Sequence, residues 1–356
     1  MIRSCTALLL LAACQPADAP TCARPPGEAD STLVVSTLTE RFDAGTLTLV
    51  DLDTLEVCDG VAAASSDSVV ATGPGGVVID VGRLGHDRLR FYQAPEFAVP
   101  ASEFTVGRGS NPQDVVRCGD AWWVSRLGEA ELIAVDDAGR QVAAVDLGPW
   151  ADADGLPEAA DLVTDGTTLD VALQRLDRTT PRWDPAEAGV VLRIDCETAD
   201  VIAEASAPHN PGLTAGPGDS RMIFGVEGVV RWDGSEEPTP VAILPEPTTA
   251  AAFTSTGHGV LVSVDEAGWY KVRCVDPAGD LTDLLATDAY IPDAIATDSD
   301  HVWLGARRSY ADPDRSPTDM PVEAGPDAAV WQVEPIACER IGEVSTDLGP
   351  FGLAVY

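Results

Sequence analysis

The chain has 356 residues, of which 22 are Lys or Arg and 58 are Asp or Glu, giving a formal net charge of −36. That balance excludes a general nucleic-acid binder and any protein held to anionic lipid by charge, since both need a basic footprint. Hydrophobic residues make up 45% of the chain, enough to bury a core, so the charge does not imply disorder.

The first elements are an address and a spacer. Arg3 gives a short positive start, and the apolar run through Leu8-Leu9-Leu10-Leu11 is too short to span a bilayer. Leu11-Ala12-Ala13-Cys14 then resembles the bacterial lipobox. The resemblance implies a signal peptide over 1–13, cleavage before Cys14 and lipidation of that thiol and the new N-terminus. Two or three acyl chains would anchor durably where one is marginal. Asp after the lipidated Cys would imply retention at the inner membrane, and Gln15 implies the outer membrane, facing either periplasm or cell surface. Residues 14–31 are rich in Pro, Ala and charge and read as a flexible tether, leaving 32–356 as the folded domain.

Six cysteines remain beyond Cys5 and Cys14: Cys22, Cys58, Cys118, Cys196, Cys274 and Cys338. An even count in an oxidising compartment predicts three disulfides, with fifteen connectivities open. No CxxC pair is present and the histidines are dispersed, so a Cys-ligated metal is not expected.

From Leu33 onward one line recurs: a Pro-led apolar strand, a tight turn, a second short strand, a loop, then a strand ending in Asp. Asn111-Pro112-Gln113-Asp114-Val115-Val116 leads to Ala121-Trp122-Trp123-Val124 and then Leu132-Ile133-Ala134-Val135-Asp136. Copies open again at Leu156-Pro157, Asn210-Pro211, Glu246-Pro247 and Ile291-Pro292, and two less regular copies precede them. The second strands start near Leu33, Val77, Ala121, Leu169, Arg221, Gly259 and His301, a spacing of about 45 residues. Seven units of four antiparallel strands predict an all-β, seven-bladed β-propeller. Gly349-Pro350-Phe351-Gly352-Leu353-Ala354-Val355 matches the Pro-led strand that the first copy lacks. The C-terminal strand is therefore expected to close the first blade and remove an open edge.

The repeat resembles the YncE-like group of seven-bladed propellers built from YVTN-type repeats, over about residues 32–356. The usual Tyr-Val-Thr-Asn is here Trp123-Val124-Ser125-Arg126 or Val171-Ala172-Leu173-Gln174. The resemblance implies the fold and a cell-envelope setting, not a function.

Second-to-third-strand loops share a face with the connections between blades. Two are long, about Arg178–Gly189 and Ser309–Asp327, and carry Trp183 and Tyr310. These loops also collect Arg41, Arg83, Arg126, Arg175, Arg178, Arg182, Arg307, Arg308 and Arg315, nine of the 20 arginines beyond the leader. Pairing with nearby carboxylates is the first expectation for them. The second is an acidic-ligand site on Arg126, Gln174, Arg175, Arg178, Trp183, Arg307, Arg308 and Tyr310, with Arg175 and Arg307/Arg308 clamping across the axis. Asp152, Asp154 and Glu158 can bring oxygens to one Ca²⁺, although ordinary turn chemistry also explains them, and Asp312, Asp314 and Asp319 are a similar group. No cofactor beyond that ion is expected. His86, His209, His258 and His301 fall in different copies, and GxSxG, HExxH and phosphate-cradling loops are missing. Trp122, Trp123, Trp232, Trp303 and Trp331 sit on strands and are read as core. The expected function is a non-enzymatic outer-membrane lipoprotein binding an envelope protein or glycan. The alternatives are a scaffold of an outer-membrane assembly complex and a lactonase- or lyase-like propeller enzyme.

Overall fold

Runs such as Leu33-Val34-Val35 and Leu169-Asp170-Val171-Ala172-Leu173 do not alternate apolar with polar. A strand buried on both faces needs no polar side, and its successive side chains point to opposite faces of the sheet. That is how these residues sit in the computed structural model, which describes residues 31–39, 41–180, 183–234, 237–287, 290–308 and 328–356. Leu33 and Val35 pack into one hydrophobic cluster and Val34 into the next. Trp122 and Trp123 likewise divide between two clusters.

The strands form seven four-stranded antiparallel sheets. Blade one holds Thr32–Leu38, Gly45–Asp51 and Val57–Ala64, and Gly349–Val355 pairs with Thr32–Leu38 as its innermost strand. The C-terminal strand thus closes the first blade, as its Pro-led sequence predicts. The innermost strands of the other blades are Ser68–Gly73, Pro112–Cys118, Ala159–Thr164, Gly212–Ala215, Thr248–Phe253 and Tyr290–Thr297. Each touches the innermost strand of the next blade, and Gly349–Val355 touches both Tyr290–Thr297 and Ser68–Gly73, so the ring is complete.

Among the described residues there are seven apolar clusters, one at each seam between neighbouring blades. Side chains of the second strands, such as Leu33, Ile79, Leu169 and Val260, are fully buried there. Cutting one such Leu or Ile to Ala should cost roughly 2–5 kcal/mol. All five tryptophans read as core are buried.

The chain's acids have structural uses that its composition hides. Asp51, Asp136, Asp195 and Asp276 end the third strands of blades one, three, four and six, and each carboxylate accepts backbone N–H groups two to four residues on. Such Asx turns set the hairpin that leads to the outermost strand. We call the face bearing these turns the lower face, and the face bearing the second-to-third-strand loops and inter-blade connections the upper face.

Two disulfides staple neighbouring blades near the lower face: Cys118–Cys196 joins blades three and four, and Cys274–Cys338 joins six and seven. Cys58 in blade one is also disulfide-bonded, and Cys22 lies outside the described residues. The signal peptide and the tether up to residue 30, with Cys14 and Gln15, also lie outside them. The outermost strands of six blades carry a register shift against their third strands. The exception, in blade two, is only four residues long, Ser102–Thr105. Bulges and short strands blunt edges that would otherwise template pairing with another chain.

Candidate functional site

In blades three and four the upper-face arginines are held by nearby carboxylates and carbonyls. Arg126, buried at the end of Ala121–Arg126, donates to the carbonyls of Val106 and Glu131 and pairs with the Glu131 carboxylate at 3.4 Å. Arg175 pairs with Glu187 and donates to the carbonyl of Ala188 at 3.1 Å. The Arg178 guanidinium pairs with Glu158 at 2.9 Å, donates to the carbonyl of Leu127 in blade three, and lies 5.0 Å from the Trp183 ring centroid. Gln174 donates its backbone N–H to the carbonyl of Glu158. The expected long loop of blade four folds as a small hairpin, Leu176–Asp177 against Asp184–Pro185, over this group. Trp183 stays 38% exposed at its tip.

Glu158 organises that hairpin. Its carboxylate is fully buried and accepts the backbone N–H of Leu176 at 3.0 Å. Burial pushes its pKa up to about 7 against the opposing pull of the Leu176 N–H and Arg178. Asp152 and Asp154 accept the backbone N–H groups of Asp154 and Leu156, two residues on in each case. Among the described residues no group of three or more His, Cys, Asp or Glu side chains is placed to hold a metal ion. Asp312, Asp314, Asp319, Tyr310, Arg182 and Arg315 lie outside the described residues.

At the seam between blades seven and one the upper face opens instead. A cleft of about 470 Å³ is lined by Leu38, Thr39, Arg41, Phe42, Asp43, Arg307, Arg308, Ala328, Asp347, Leu348, Gly349 and Phe351. Among the described residues its lining carries the guanidinium groups of Arg41, Arg307 and Arg308 and the carboxylates of Asp43 and Asp347. Phe351 sits at the β-bulge of the closing strand, between Pro350 and Gly352. The Arg83 and Arg307 guanidinium carbons lie 4.9 and 5.2 Å from its ring centroid. Phe42 meets Phe351 nearly perpendicularly, with centroids 5.7 Å apart. Its backbone φ is 53°, a left-handed conformation that costs a residue with a Cβ roughly 1–2 kcal/mol. The turn that holds it is closed by Thr39, whose carbonyl accepts the Phe42 N–H at 3.0 Å, and the ring is 46% exposed.

The sequence-predicted binders are therefore not one cluster. Arg307 and Arg308 line the cleft, whereas Arg126, Arg175, Arg178 and Trp183 belong to the filled seam between blades three and four and do not line it. Phe42, Asp43 and Phe351 are the residues that sequence reading missed. An aromatic beside Asp-Ala-Gly in a short loop was the available signal.

Along the axis, Asp114 and Asp161 occupy matching places on the innermost strands of blades three and four. The Asp114 carboxylate accepts the N–H of Leu162 in blade four, and the Asp161 carboxylate accepts that of Leu213 in blade five, both at 2.9 Å. Each acid thus caps a backbone N–H on the innermost strand of the following blade. Burial, with the Asp161 charge adding, pushes Asp114 up to about 7, and burial raises Asp161 as well. The four histidines each have local partners: His86 bonds Ser66, His209 Glu227, His258 Thr256, and His301 lies 3.5 Å from Asp298.

No family model matches the chain, and no curated protein matches it. Among solved structures it is similar to a candidate 6-phosphogluconolactonase from Bacteroides fragilis, at 13% identity and a TM-score of 0.61, covering 92% of this chain and 99% of that one. A candidate 6-phosphogluconolactonase from Bacteroides uniformis matches at 14% identity and a TM-score of 0.60, covering 90% and 98%. BamB from Moraxella catarrhalis matches at 11% and 0.47, covering 77% and 82%. At such identities the likeness shows the seven-bladed propeller fold alone.

Proposed function

We propose that this chain is a lipid-anchored, non-enzymatic propeller of the bacterial outer membrane that binds an acidic envelope ligand, a protein or a glycan, in the cleft between blades seven and one. One observation carries the reading: an upper-face cleft between blades seven and one lined by arginine and aromatic side chains, with the Phe42 ring 46% exposed beside it. Recognition surfaces favour rigid aromatic and Arg anchors. Asn, Asp and Gly are the residues that ordinarily accept the conformation Phe42 adopts. The anchor rests on Leu11-Ala12-Ala13-Cys14 and the outer-membrane address on Gln15.

The test is capture from native envelopes by the full lipidated chain. Phe42→Gly and Arg308→Gln should each lose the captured partner while the protein stays folded. Cys14→Ser should stop incorporation of labelled palmitate, and label entering that variant would overturn the anchor. Turnover on a panel of lactones that survives both cleft substitutions would overturn the non-enzymatic reading.

A further inference from the structure

We propose that Cys58 is joined by a disulfide to Cys22, which staples the tether to the lower rim of blade one and turns that rim toward the membrane. This rests on the lipid anchor proposed above, which spends Cys14, and not on the cleft. Cys58 is disulfide-bonded, and Cys118–Cys196 and Cys274–Cys338 account for four of the other cysteines. Of the three that remain, Cys5 falls in the signal peptide and Cys14 carries the lipid, which leaves Cys22, outside the described residues. The covalent step is ordinary thiol–disulfide exchange. The two thiols give up two protons and two electrons to a disulfide-bearing oxidant, which leaves as a dithiol.

The geometry around Cys58 admits this partner. The chain enters the propeller at the lower end of blade one, where the carbonyl of Ser31 accepts the N–H of Leu52 at 2.9 Å. Thr32 lies opposite Asp51, and Leu49 opposite Cys58, so Cys58 sits at the lower end of Val57–Ala64, two strands out from the entry strand. Two strand spacings amount to roughly 10 Å. The nine residues from Cys22 to Ser31 extend to about 32 Å, so they reach Cys58 with slack. Directly after Cys58 the edge strand bulges: Asp59, Gly60 and Val61 face Thr48 alone, where the outermost strands of five other blades insert a single residue. Gly60 adopts a φ of 63°, and a Cβ there would meet open space. The rim beside Cys58 is therefore open to an incoming chain. Stapled there, the lipid on Cys14 lies eight residues from a fixed point, at most about 29 Å, against eighteen residues and about 65 Å to Thr32 without the staple. The lower rim of blade one then stays beside the lipid, and the upper face points away from it.

The full lipidated chain, alkylated before any reduction and then digested, should yield one cross-linked peptide pair containing Cys22 and Cys58. Cys58 joined to Cys14 would overturn the pairing and the anchor together, and Cys58 joined to a second copy of the chain would overturn the pairing alone. Cys22→Ser, Cys58→Ser and the double variant should lower the melting temperature equally, because each breaks the same link, and additive losses would also overturn it. Orientation is read in vesicles of phosphatidylethanolamine and phosphatidylglycerol carrying a headgroup photo-crosslinker. The hairpin 51–56 should take up label, and Cys22→Ser should reduce that uptake roughly threefold as the leash lengthens. Equal labelling of the two proteins would overturn the membrane-facing rim and leave the pairing standing. Neither measurement involves the cleft between blades seven and one, whose own test is envelope capture.

Discussion

The seam between blades three and four and the seam between blades seven and one solve the same packing problem differently. Both bury an apolar cluster between the sheets. At the first, Cys118–Cys196 closes the lower side, Asp114 caps Leu162 near the axis, and Arg178 crosses to Leu127 above. One covalent link and two hydrogen bonds thus join the two blades at three different heights. At the second, among the described residues, no disulfide joins the blades, and Gly349–Val355 docks by its ladder to Thr32–Leu38 and by apolar contact. Among the described residues the upper side there forms a cleft. The ladder completes blade one, and side chains such as Trp303, Val330 and Leu353 then join it to blade seven without a described covalent link.

The largest expected effect tests that closing strand. Deleting Pro350–Tyr356 removes the inner partner of Thr32–Leu38 and uncovers the apolar faces of blades seven and two. The shortened chain should show no cooperative melting transition, and a melting temperature equal to that of the full chain would overturn closure by this strand. Next comes the covalent joint. Replacing Cys118 and Cys196 together by Ser opens a link across 78 residues, worth about 4 kcal/mol by loop-closure entropy. Denaturant unfolding should register that loss as a lower midpoint.

A smaller effect separates the two seams by pH. Folded Asp114 keeps its proton up to about pH 7, whereas its ordinary value is 3.8. The folded state therefore binds more protons between these values, and stability falls as pH rises through that window, by roughly 2–4 kcal/mol. Asp114→Asn stays neutral throughout, so its stability should fall less between pH 4 and 8 than that of the parent. Equal slopes for the two proteins would show that the carboxyl is ionised in the fold. At the open seam the effect should be smallest. Phe42→Gly should hold or slightly gain stability by relieving the left-handed backbone.

Much of the architecture could be read from the residues. The Pro-led strands, the Asp-terminated third strands and their spacing of about 45 residues carry the blade count. The unpartnered match at Gly349–Val355 carries the closure. Cysteine pairing could not be read, because it depends on which turns of neighbouring blades meet at the lower face. The partners of the blade-four arginines were hidden for a similar reason. Glu187, Glu158 and the Leu127 carbonyl reach Arg175 and Arg178 only once the blade-four hairpin has folded. Phe351 was legible as a strand residue, not as a ring between two guanidinium groups. That placement follows from a one-residue bulge, which has no sequence signature of its own.

The position of Thr32–Leu38 has a mechanical consequence. It is the first described strand, yet it lies inside its sheet, laddered on one side to Gly45–Asp51 and on the other to Gly349–Val355. Its first residue is also tied to the last, with the N–H of Tyr356 donating to the carbonyl of Thr32 at 2.8 Å. Hydrogen bonds of an antiparallel ladder run across the strands, so a force drawn along Thr32–Leu38 loads both ladders in shear instead of peeling them one bond at a time. A domain held by its N-terminal side would resist tugging at that point better than at any of its edge strands. The blade that receives the pull is the blade sewn from both ends of the domain.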